Sequence, residues 1–190
     1  AVDLRSSGTI RVESGAALRA DGVGAGDAGS AIVFGGDAAV LERGAVISAS
    51  ALGSGDGGFV ELSAHDTVEL AGTLRAASAS GRPGRILIDP VNYTQSEDWI
   101  DNTGADITIE ATNRVTVAPG VTISTRVVNP GADGIVSAAE TLTGASVADS
   151  GHLTIQAPQI EIGQGARLLS FATGTFRGGD ILLSAQHDDL

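Results

Sequence analysis

Gly57-Gly58-Phe59-Val60-Glu61-Leu62-Ser63, then Thr67-Val68-Glu69-Leu70, then Thr73-Leu74-Arg75 follow one another with only short joints between them. The runs alternate, with Val60/Leu62 and Val68/Leu70 on one side. A period of two buries one face of a strand and wets the other. Three short strands in so few residues demand sharp corners. The joints carry the residues corners need: Asp56-Gly57-Gly58, Gly81-Arg82-Pro83-Gly84, Pro119-Gly120 and Gly178-Gly179.

The triplet recurs. Ile107–Ala111, Arg114–Val117 and Val121–Ser124 form a second clear set, and Leu153–Ala157, Ile160–Ile162 and Arg167–Leu169 a third. A glycine announces each unit at Gly8, Gly29, Gly58, Gly84, Gly104, Gly151 and Gly179. These glycines are 21, 29, 26, 20, 47 and 28 residues apart. The long interval reads as one coil with an insertion, or two coils with one degraded. A repeat this short cannot bury its apolar face alone and must stack on its neighbours. The expected fold is all-β, a right-handed parallel β-helix of about six to seven three-strand coils. At about 4.8 Å per coil it would stand roughly 30 Å tall.

Composition supports this reading. The 27 glycines are too many for a helical protein, since Gly costs about 1 kcal/mol against Ala inside a helix. A β-sandwich also has many short strands, but rarely shows a recurrent Gly-strand register. Its core would also want more aromatic side chains than one Trp and one Tyr. Only Ile135–Leu142 and Gln95–Ile100 could hold a helical turn. Two stretches, 91–103 and 129–150, look like irregular loops or insertions. The chain opens in mid-pattern at Ala1, so residues 1–190 are expected to be a single β-helix segment of a longer protein.

Charge narrows the function. With 23 acidic and 11 basic residues, the formal charge is -12. Such a surface repels nucleic acid and anionic lipid heads. Every basic residue is Arg, which removes lysine-based catalysis. Without Cys there is no disulfide framework and no thiolate metal site. No apolar run approaches the roughly 20 residues of a membrane-spanning helix.

The run from Gly57 to Thr94 resembles a segment of large exoproteins of the filamentous haemagglutinin type, which leave the cell by two-partner secretion. The likeness lies in Gly57-Gly58-Phe59-Val60-Glu61-Leu62-Ser63 and in Gly84-Arg85-Ile86-Leu87-Ile88-Asp89-Pro90 with Asn92. The resemblance implies a β-helical shaft, secreted or held at the bacterial cell surface. It also implies passage through an outer-membrane transporter partner and roles in adhesion, biofilm or toxin delivery. It brings no catalytic residues. The expected function is therefore structural or adhesive, with a host-surface protein or glycan as partner. No enzyme activity, cofactor or metal is expected. A cut stack would also expose strand edges and associate end to end.

Two alternatives come from the residues. Glu97, Asp98 and Asp101 form the densest acidic cluster and surround Trp99. Carboxylates beside an aromatic ring are the furniture of a sugar-binding or glycoside-cleaving site, so these four are the candidate ligand residues. The bland reading is a solvated loop whose Trp caps a coil. The second alternative is capture of a host protein or haem carrier by the Asn129–Ser150 loop. Asp89 is a candidate acid, but before Pro90 an Asp commonly organises a turn. Asp27, Asp56, Asp133, Asp149 and Asp180 accompany turns, and the calcium nonapeptide pattern is absent. His65, His152 and His187 lack metal-ligand spacing and read as surface residues.

Overall fold

Residues 1–185 are described in the structure, a computed structural model. The chain lays down strands in threes. The first pass holds Val2–Ser6 (β1), Ile10–Val12 (β2) and Ala17–Arg19 (β3). The second holds Ser30–Gly35 (β4), Ala38–Leu41 (β5) and Val46–Ser48 (β6). The third holds Phe59–Ala64 (β7), Thr67–Leu70 (β8) and Thr73–Arg75 (β9). The fourth holds Arg85–Asp89 (β10), Asn92–Gln95 (β11) and Trp99–Ile100 (β12). The fifth holds Asp106–Glu110 (β13), Arg114–Val117 (β14) and Thr122–Ser124 (β15), followed by a short helix, Ala138–Thr143 (α1). The sixth holds Leu153–Gln156 (β16), Gln159–Ile162 (β17) and Arg167–Leu169 (β18), and Ile181–Ser184 (β19) comes last.

The pairings between these strands are parallel. First strands form one sheet in the order β1-β4-β7-β10-β13-β16-β19. Second strands form another, β17-β14-β11-β8-β5-β2. Third strands divide into β3-β6-β9 and β12-β15-β18. The chain is thus all-β and parallel, as its alternation and glycines require.

Register stacks like on like. Val60, Ile86, Ile107 and Leu153 lie one above another, as do Leu62, Ile88, Ile109 and Ile155. All eight are at most 1% exposed. Burying such a side chain contributes about 1.5–3 kcal/mol, so these columns carry much of the fold. Ile47 and Leu74 extend the core on the third strands below the interruption, and Trp99 and Ile123 above it.

The paired residues correct the repeat. The first step, from Val2 to Ala31, is 29 residues and not 21, because Gly8 precedes a second-sheet strand. The later steps are 29, 26, 21, 46 and 28 residues, read along the Ala31–Val60–Ile86–Ile107–Leu153–Ile181 column. The 46-residue step is one pass with an insertion. Its neck is closed by an antiparallel bridge between Val128 and Ser146. Residues 91–103, expected to be irregular, contain β11 and β12. Gln95–Ile100 is mainly strand and corner, whereas the other candidate stretch holds α1.

Glycine works in two ways here. At Gly84 a Cβ would lie 2.0 Å from the carbonyl oxygen of Gly58, so only a bare backbone fits between successive passes. At the second corner the requirement is a positive φ, 85° at Gly44 and 77° at Gly120.

Candidate functional site

The second corner is four residues long in most passes: Glu13–Ala16, Glu42–Ala45, Ala118–Val121 and Gly163–Ala166. In the third pass it shrinks to Ala71-Gly72, and in the fourth to Ser96-Glu97-Asp98. Gly72 tucks under the turn below, where a Cβ would meet the Glu42 carbonyl at 2.6 Å. The shortened corners leave a notch of about 430 Å³ between β9 and β12, among the described residues the one place where successive third strands do not pair.

Arg43, from the longer turn of the second pass, reaches over the third pass to Glu97 of the fourth. Its Nη2 donates to both carboxylate oxygens, at 2.6 and 2.7 Å. Both side chains remain substantially exposed. Asp98 Oδ1 accepts a 2.7 Å bond from the Thr122 N–H. Leu70, Leu74, Trp99 and Ile100 supply the apolar walls. Trp99 is in register with Ile123 and only 6% exposed, so it serves chiefly as core. Residues Ile135 to Ala138 of the insertion close one side.

Glu97, Asp98 and Trp99 therefore meet in one notch, and Asp101 does not join them. Asp101 is buried and caps the next corner. It accepts from the Thr103 N–H at 2.9 Å, the Thr103 hydroxyl at 2.8 Å and the Ala105 N–H at 3.2 Å. Burial pushes its pKa up to about 6 against these lowering bonds. Beneath the notch, Tyr93 and Gln95 take inward positions. The Tyr93 hydroxyl donates to Gln95 Oε1, and Gln95 Nε2 donates to the Glu97 carbonyl at 2.7 Å. Burial raises the Tyr93 pKa far above its ordinary value.

The insertion is held by a residue that sequence patterning does not single out. Arg126 is fully buried and faces no carboxylate among its hydrogen-bond partners. Its guanidinium donates to the carbonyls of Phe171 (2.9 Å), Thr141 and Gly144 (2.9 Å), and to Ser146 Oγ (3.2 Å). Phe171 stacks on it at 3.7 Å. Burial lowers its pKa. Carbonyls at the end of α1 suit a cation, because that end of a helix is electronegative. The start of α1 is fixed by a capping box: the Glu140 N–H donates to Ser137 Oγ, and the Ser137 N–H donates to Glu140. Arg126 and this cap together set the wall Ile135–Ala138.

The remaining acidic residues lie elsewhere. Asp89 faces outward at the end of β10 and, among the described residues, takes no hydrogen bond from a turn. Burial, then the charges of Glu110 and Glu61, raise its pKa. Asp27, Asp56 and Asp149 accept backbone bonds from the next pass, from Asp56, Arg82 and Arg177. Asp133 caps its own turn at Ile135. Among the described residues no group of three or more His, Cys, Asp or Glu is placed to hold a metal ion. His65 is exposed beside Asp66, and His152 Nδ1 accepts from the Asp180 N–H. His187 lies outside the described residues. Among the described residues no helix is long and apolar enough to cross a membrane.

No protein-family model, curated protein or solved structure matches this chain.

Proposed function

We propose that the chain is a stretch of right-handed parallel β-helix, of six to seven coils, in the shaft of a secreted or surface-held bacterial exoprotein, and that it serves adhesion. One observation carries this reading: the unbroken order β1-β4-β7-β10-β13-β16-β19, with identical register from pass to pass. Such a column lengthens by adding passes and displays corners and insertions at fixed heights, which is what a shaft requires. In this reading the segment leaves the cell through an outer-membrane transporter partner and meets a host-surface protein or glycan. It works without catalysis. Among the described residues, the outermost strands of this sheet, β1 and β19, are each paired on one side only, which supports end-to-end association of isolated segments.

The test is direct. Beads coated with the chain should attach to epithelial cells, or to a growing biofilm, well above albumin-coated beads. Attachment at the albumin level would sink the adhesive reading. Light scattering should show concentration-dependent association, and a monomer at high concentration would refute the end-to-end contact.

A further inference from the structure

We propose that the notch between β9 and β12 binds a short neutral saccharide. The inference rests on the adhesive reading and gives it a ligand class. Four features of the notch point the same way.

The first is a loss of pairing. Thr73 N–H donates to Ala45, and the Arg75 carbonyl accepts from Ala49, so both residues point back to the second pass. Strand alternation then turns the N–H and C=O of Leu74 toward the notch. Asp101 N–H donates to Ser124, which turns Ile100 toward the notch from the other side. No ladder joins β9 to β12, so neither residue has a strand partner across the notch; Leu74 is only 2% exposed and Ile100 is half-buried, which leaves Ile100 the more reachable of the two.

The second is the rim. The bidentate contact with Glu97 uses only part of the Arg43 fork, which has five N–H donors. Both partners are exposed enough to bind a further group. Asp98 uses Oδ1 on Thr122 and keeps Oδ2 for a ligand. A sugar hydroxyl donates and accepts at once, which this mixture of fixed donors and acceptors matches.

The third is size and lining. A notch of about 430 Å³ lies within the range of small-ligand sites, and apolar side chains with a few placed polar groups are their usual lining. Ile135, 68% exposed on the insertion, can cover the apolar face of a bound ring.

The fourth is exclusion. A chain of charge -12 without Lys opposes sulfated or uronic glycans. Added peptide strands draw affinity from a run of main-chain bonds, and β12 offers an edge of only two residues.

The experiment titrates the full chain with neutral mono- to trisaccharides of glucose, galactose, mannose, fucose and N-acetylhexosamines, read by ligand-observed NMR and calorimetry. Binding is expected with a Kd on the order of 1 mM or tighter. Arg43→Ala and Ile135→Ser should each weaken it at least tenfold, with unchanged melting. Arg82→Ala, at a different corner, should not. No binding across the panel, or binding indifferent to Arg43 and Ile135, overturns the proposal, as does binding confined to extended peptides. The two readings fail separately. Wild-type and Arg43→Ala beads that attach to cells equally well sink the notch and spare the adhesin. Sugar binding without cell attachment does the reverse.

Discussion

Replacing Arg126 by Ala should release the insertion while leaving the stack intact. The side chain makes four hydrogen bonds, three of them to the carbonyls of Phe171, Thr141 and Gly144. Its loss strands the Thr141 and Gly144 carbonyls, while the Phe171 carbonyl keeps a 3.0 Å bond from Ser150 Oγ. Each costs about 1–3 kcal/mol if it stays dry. The face of Phe171 loses a desolvated cation, worth about 2 kcal/mol. If everything stayed in place the sum would reach about 4 kcal/mol or more. The insertion can escape by lifting off, which rehydrates the carbonyls, so the expected loss of global stability is about 2–4 kcal/mol. Hydrogen exchange read by mass spectrometry should show amides of residues 127–149 losing protection, while those of β7, β10 and β13 keep theirs. Arg126→Lys should fare nearly as badly, because one ammonium cannot span acceptors arranged around a planar fork. Unchanged exchange in 127–149, or a stability loss below about 0.5 kcal/mol, would refute the staple.

Asp101 makes stability depend on pH. Its folded pKa is raised from 3.8 to about 6, so between those values the folded chain holds the extra proton and stability falls as pH rises. The advantage of wild type over Asp101→Asn should shrink by up to about 3 kcal/mol from pH 4 to 7, and a flat difference in denaturant titrations would count against the assignment. Gly84→Ala should destabilise by about 2 kcal/mol or more, because its Cβ would collide with the Gly58 backbone; a thermal midpoint equal to wild type would contradict the close approach. Ile109→Ala should cost about 2–5 kcal/mol, checked by urea unfolding, and a cost under 1 kcal/mol would mean the column collapses to fill the space. Thr122 Oγ1 is buried without a partner, so Thr122→Val should be neutral or stabilise by about 1 kcal/mol; a clear loss would reveal a bond to that hydroxyl.

Much of this fold is legible in the sequence. Val60/Leu62, Ile107/Ile109 and their equivalents alternate openly, and Gly58 and Gly84 mark the corner where backbones touch. The misread positions have physical causes. Gly8 has the same Gly-strand look but begins a second-sheet strand, and only pairing reveals the difference. Residues 91–103 look irregular because Gln95 breaks the apolar alternation, yet Tyr93 and Gln95 satisfy each other and occupy core positions as a pair. Three of the four candidate ligand residues share the notch, but nothing in their spacing tells that Trp99 turns inward or that Asp101 is spent on a corner. Arg126 reads as one more surface arginine until the insertion folds over it. The notch itself comes from corner lengths, two and three residues against four, which have meaning only once the passes are aligned.

The interrupted third ladder also has a mechanical meaning. Among the described residues, the first-strand and second-strand sheets are hydrogen-bonded without a break, while the third strands are unstitched at a single level, between β9 and β12. A beam cut on one side is stiff in every direction but one. Load across this segment would concentrate there, opening or closing the slot as the column flexes, with the Arg43–Glu97 pair as the strap across its mouth. In the shaft proposed above, a pull would be felt first at the notch.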